Sequence, residues 1–72
     1  MAFDNLRLGF LLRQRRVYEP TFTQRAAARK MGIDESDLCR FVSGKRVPTD
    51  KTLRKIARVL RVSPASLRSG NP

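Results

Sequence analysis

Phe22-Thr23-Gln24-Arg25-Ala26-Ala27-Ala28-Arg29-Lys30-Met31-Gly32-Ile33-Asp34-Glu35-Ser36-Asp37-Leu38-Cys39-Arg40-Phe41 is the stretch that decides the fold. Thr23 is a good N-cap for a helix over Gln24–Met31, because its hydroxyl can accept one of the N–H groups that a helix start leaves unbonded. Ala27, Ala28 and Met31 give that helix a small apolar face. Gly32 stands where a left-handed residue must end it. Asp34 then caps a helix of roughly Glu35 to Ser43, with Asp37 at the position of a capping-box acid. Leu38 and Phe41 form its core face, and Gly44 closes it. Two helices joined by Gly32-Ile33-Asp34 have the turn length of a helix-turn-helix unit.

The pattern continues on both sides. Upstream, Asp4 to about Val17 reads as a helix, with Leu8 and Leu12 at i, i+4. Phe3, Leu6 and Phe10 add apolar surface; with Phe3, Phe10 and Leu11 there is more than a buried stripe requires, and core packing is the favoured reading over a partner face. Pro20 breaks the helix within Tyr18–Phe22. Downstream, Thr49 caps a helix from Asp50 to about Leu60, where Leu53, Ile56, Ala57 and Leu60 form one stripe. Lys51, Arg54, Lys55, Arg58 and Arg61 lie off that stripe. Ser63-Pro64 is a cap and first-turn proline for a short fifth helix ending near Gly70. The expected architecture is all-α, a compact bundle of five helices over residues 1–70, with Asn71-Pro72 as a tail or severed linker.

Charge bounds the partners. Sixteen Lys and Arg face six Asp and Glu in 72 residues, a net charge of +10. Such a field attracts polyanions and speeds their encounter. Cys39 is the only cysteine, so no disulfide is expected, and a single thiol fits a reducing cytosol. Phe10-Leu11-Leu12 is too short for a signal peptide core or a membrane span, so no membrane association is expected. There is no histidine, and no serine or cysteine has a general base at useful spacing. No catalytic, metal or cofactor site is therefore expected.

The ordered set of motifs resembles the phage-repressor-like helix-turn-helix domains of the Cro and Xre types, the lambda-repressor-like fold. The resemblance is carried by Leu8-Gly9 with Leu12-Arg13 and Arg16, Phe22-Thr23-Gln24, Ala27 through Ile33, and Leu38-Cys39-Arg40-Phe41. It continues through Ser43 to Pro48, Thr52 to Leu60, and Val62 to Leu67. It implies that the third helix lies in the major groove of duplex DNA while the second crosses the backbone. On that resemblance Glu35, Ser36, Cys39 and Arg40 fall at base-contacting positions. Arg13, Arg16, Thr23, Gln24, Ser43, Lys45 and Arg46 fall at phosphate-contacting positions. The side chains suit these roles: Arg40 can pair with guanine O6 and N7, Glu35 can accept from cytosine N4, and Ser36 can bond several edges. The implied function is transcriptional regulation, repression before activation, in the cytoplasm at the nucleoid. A homodimer is the usual state of such domains, reading half-sites one helical turn apart.

The sequence departs from the family pattern in three places. Asp34 to Arg46 holds Asp34, Glu35 and Asp37 against Arg40, Lys45 and Arg46, a neutral segment in a strongly basic chain. Val42 stands where relatives often carry a Glu that pairs with the base at the position of Arg16. Leu11 and Arg15 exchange the characters that relatives show there, and the loop from Val17 to Phe22 is about one residue longer, so a rotated or bent first helix is expected.

Two readings compete with specific DNA binding. The neutral third helix and apolar first helix also suit a protein-interaction domain gripping RNA polymerase, a toxin or another regulator. Glu35→Gln separates the two: tighter DNA binding with unchanged specificity means a helix not tuned to bases. Non-specific nucleic-acid coating predicts a steep salt slope and no preferred sequence. Cys39 is read as a small neutral filler beside DNA rather than a redox sensor, and the basic stripe of the fourth helix as a solvated face.

Overall fold

The computed structural model describes residues 3–68. These form α1 (Asn5–Tyr18), α2 (Gln24–Met31), α3 (Glu35–Ser43), α4 (Asp50–Leu60) and a 3-10 turn (Pro64–Leu67). The last element corrects the sequence reading. The expected fifth α-helix is a 3-10 turn of four residues, and its expected end near Gly70, like the Asn71-Pro72 tail, lies outside the described residues. Leu67 is fully buried and Arg68 pairs with Phe3 in an isolated antiparallel bridge, so the chain leaves helical geometry as soon as Leu67 is seated.

The caps behave as their chemistry dictates at three of the helices. Asp4, Thr23 and Thr49 accept hydrogen bonds from the N–H groups of Arg7, Ala26 and Thr52. Gly32 (φ 73°) and Gly44 (φ 82°) take the left-handed conformation that ends α2 and α3. The capping box expected at Asp34 and Asp37 does not form: Asp34 makes no side-chain cap, and Asp37 turns to Arg40 and Arg46 instead. Two cations outcompete a single backbone N–H for that carboxylate.

One core joins all the elements. Leu8 and Leu12 of α1, Ala27, Ala28 and Met31 of α2, Leu38 and Phe41 of α3, and Leu53, Ile56, Ala57 and Leu60 of α4 enclose Phe22 and Leu67. The α3 helix packs against α1 and α2, whereas α4 packs against α2, α1 and the 3-10 turn. Phe3 and Leu11 pack on the edge of this core. Phe10, expected to join them, is 50% exposed, and Leu6, Val17 and Tyr18 are more exposed still. These side chains point away from the Leu8–Leu12 stripe on a 3.6-residue helix.

The exchange of Leu11 and Arg15 has a physical resolution. Arg15 is half-buried, donates to Glu19 at 2.6 Å and to the Val59 carbonyl at 3.2 Å, and lies 4.8 Å from the ring centre of Phe22. A guanidinium over an aromatic face and on a carbonyl replaces the apolar contact. Its hydrogen bond holds the Glu19 carboxyl below the ordinary carboxylate range. A carboxylate so depressed stabilises the folded chain above that range, and the contribution disappears as pH falls through the lowered value. Arg15→Ala is expected to destabilise the domain by about 1–2 kcal/mol, read by thermal unfolding. Arg16→Ala, on the exposed side, is expected to stay within about 0.5 kcal/mol. Equal effects of the two would sink this account.

Candidate nucleic-acid interface

The turn between α2 and α3 sets the geometry of the site. Gly32 donates to the Arg29 carbonyl, Ile33 donates to the Ala28 carbonyl at 3.0 Å, and Ile33 packs on the core. With both ends of the turn fixed, α3 is held across α2 by Leu38 and Phe41. Its opposite face is then free. Glu35, Ser36, Cys39, Arg40 and Ser43 are all exposed and contiguous on it, spaced i, i+1, i+4, i+5 and i+8. The four residues expected to read bases therefore share one outward surface of one rigid helix.

The residues expected to hold phosphates divide into two groups. Arg13 and Arg16 of α1 line a shallow cleft of about 90 Å³ with Leu12, Phe22 and Gln24. Both arginines are exposed, and Gln24 is the first residue of α2. Two cations thus flank a helix N-terminus, where backbone N–H groups and the helix dipole already favour an anion. Thr23, next to this cleft, keeps its hydroxyl on the Ala26 N–H at 3.2 Å. Val42, where relatives often place an acid, is half-buried against the core. Arg16 pairs with no acid among the described residues.

The second group is the exit of α3. Ser43 donates its hydroxyl to the Arg40 carbonyl at 3.2 Å, and the Lys45 and Arg46 N–H groups donate to the same carbonyl. This wraps the loop back on the helix. A Cβ at Gly44 would stand 3.1 Å from the Asn5 amide, so the loop also lies tight against α1. Asn5 in turn donates to the Val42 carbonyl at 3.1 Å. Lys45 is exposed. Arg46 and Arg40 both bond Oδ1 of Asp37, at 3.2 and 3.3 Å.

Three residues at this surface escape the sequence reading. Arg25 and Arg29, at i and i+4 on α2, line a cleft with Ala28, Ile33, Asp34 and Glu35. They bring two cations to the cleft that the two acids at the start of α3 also line, without forming a salt bridge to either acid. The i, i+4 spacing is visible in the sequence, but only the turn shows which face of α2 meets the start of α3. Asn5 is the other omission, as a positioning residue that ties α1 to the exit of α3.

None of the described helices is long and apolar enough to cross a membrane. No curated protein and no solved structure matches the chain. A family model described as helix-turn-helix matches residues 12–67, from the second half of α1 through the 3-10 turn. With its two central helices, its glycine turn and an exposed third helix, the chain belongs to the phage-repressor-like, Cro-type helix-turn-helix family of DNA-binding regulatory domains.

Proposed function

We propose that this protein binds duplex DNA at specific sites as a transcriptional regulator, with α3 in the major groove. Glu35, Ser36, Cys39 and Arg40 contact base edges in this reading. Arg13, Arg16, Thr23, Gln24, Ser43, Lys45 and Arg46 contact phosphates on either side. The observation that carries it is the single outward face of α3, set between a cleft with two arginines at the start of α2 and a basic exit loop. Phosphate contacts fix register and orientation, and base-edge contacts supply the sequence information. Repression is the favoured mode, since occupying a promoter needs no surface beyond the one that binds DNA. A cytoplasmic, nucleoid location and a two-fold pair on half-sites one helical turn apart complete the proposal.

Selection of bound duplexes from a random library at near-physiological salt tests it. A two-fold motif should be enriched. No enrichment, with binding that collapses as salt rises, would leave only generic charge attraction.

Asp37 gives a sharper expectation. Its carboxylate engages both Arg40 and Arg46. Exposed pairs of this kind contribute up to about 1 kcal/mol each. Asp37→Asn should therefore tighten binding to all duplexes by up to about fivefold for each arginine released, read by fluorescence anisotropy at two salt concentrations. Weaker binding in the variant would show that the acid orients the arginines rather than competing for them.

A protein-partner reading is supported by one observation. Leu6, Phe10, Val17 and Tyr18 form an exposed apolar face on α1, opposite the core. Polymerase or another regulator is the partner class that such a face suits. A DNA-binding variant of normal affinity that fails to regulate after substitution on this face would support it.

A further inference from the structure

Nine of the sixteen basic residues of this chain lie outside the surface just described. On α4, Lys51, Arg54, Lys55 and Arg58 are exposed and stand opposite Leu53, Ile56, Ala57 and Leu60, which enter the core. Arg61 continues the row just past the helix end. Among the described residues none of these five cations forms a salt bridge, and Arg61 lies within electrostatic reach of an acid, Glu19. The one acid of α4, Asp50, is bonded by Arg68 at 3.0 Å. A shallow cleft of about 440 Å³ brings Lys30 of α2 together with Lys55 and Arg58, lined further by Met31, Gly32 and Val59.

Like charges at i, i+3 and i, i+4 destabilise a helix. Lys51 with Arg54 and Lys55, Arg54 with Arg58, and Lys55 with Arg58 are all such pairs. A polyanion reverses the sign of this effect, because each cation that meets a phosphate releases a condensed counterion. The row Lys51–Lys55–Arg58 runs about 10 Å along the axis, long enough for its cations to reach neighbouring phosphates of a duplex backbone. No aromatic residue stands in the row, as stacking on single strands requires. The exposed large apolar residues lie on α1 and at Val47, not along the row, so it lacks the apolar face of a membrane-surface helix. A duplex backbone is the polyanion that fits.

The outward face of α4 is not an extension of the α3 face. The two helices share α1 and α2 as neighbours, but they do not pack extensively on each other, and of the two α4 alone packs on the 3-10 turn. A duplex seated on α3 leaves the α4 face available to another.

We propose that the outward face of α4, together with Lys30, is a second, sequence-independent duplex site, so that one protein molecule holds two DNA segments. The proposal rests on the reading that α3 takes the first. The test immobilises a duplex carrying the selected sequence, loads it with protein, washes it, and offers a labelled duplex of unrelated sequence. The loaded surface should retain the labelled duplex. The triple variant Lys51→Gln, Lys55→Gln, Arg58→Gln, which keeps good helix formers, should load the first duplex within about threefold. It should retain at least about tenfold less of the second, and the salt slope of retention should be shallower by about 3. A parent protein that retains no second duplex overturns the proposal, and so does a triple variant that retains as much as the parent. If the triple variant fails to load at all, the pair Lys55→Gln, Arg58→Gln carries the same comparison. Failure of the first reading shows separately: the immobilised sequence would then load no better than a scrambled one, while capture of the second duplex is still measured.

Discussion

Leu38→Ala lowers the midpoint of thermal unfolding by about 15 °C or more, followed by far-ultraviolet circular dichroism. Leu38 is fully buried and stands where α3 meets α1 and α2. Truncating a buried leucine costs about 3–5 kcal/mol, through lost transfer energy and the cavity left behind. A chain of 72 residues has a total stability of only about 4–11 kcal/mol. One side chain therefore holds a large share of the domain together. The neighbouring Cys39→Ala, on the exposed face, is expected within about 0.5 kcal/mol of the parent. A Leu38→Ala protein melting within roughly 3 °C of the parent would mean that α3 is anchored by something other than its apolar stripe.

The second large effect is on recognition. Arg40→Ala should erase the preference for one base in each half-site, a loss of about 1–3 kcal/mol of discrimination or roughly 5–150-fold. Affinity for unrelated duplexes should change much less, because in the free protein this guanidinium is already engaged with Asp37. Lys45→Ala should do the reverse: binding weakens on every sequence and the salt slope falls by about one. The two variants are compared in one selection experiment. A motif unchanged by Arg40→Ala would remove this residue from the base-reading set.

The central helices were legible because their signals are local. Thr23 and Thr49 cap by geometry within one turn, and Gly32 and Gly44 end their helices by a backbone conformation that suits glycine. The exposed face of α3 was placed by the family resemblance, and Leu38 and Phe41 agree with it, since fixing the buried side of a helix fixes the other. What stayed hidden depends on distant parts of the chain. The 3-10 turn is short because Leu67 must enter a core built by other helices. The α4 helix ends on Arg61 in the left-handed conformation (φ 59°), with no glycine to announce it. Asp37 carries a good local capping signal, but Arg46, nine residues on, returns through the loop to claim it. The exposure of Phe10 likewise depends on how α1 rolls against its neighbours, which apolar content alone does not fix.

The shared acid has a consequence for how a charged surface changes state. Arg40 and Arg46 converge on the same oxygen of Asp37, so the carboxylate has one more cation than it needs. If either arginine swings to an outside acceptor, the other stays to neutralise the acid. No step of that exchange exposes an unmatched negative group. The trio works as a coupling in which one cation is always in reserve, and the first release is easier than the second. An approaching anion therefore meets a graded response: one guanidinium moves readily, and the other only when its acceptor is stronger than the carboxylate it leaves.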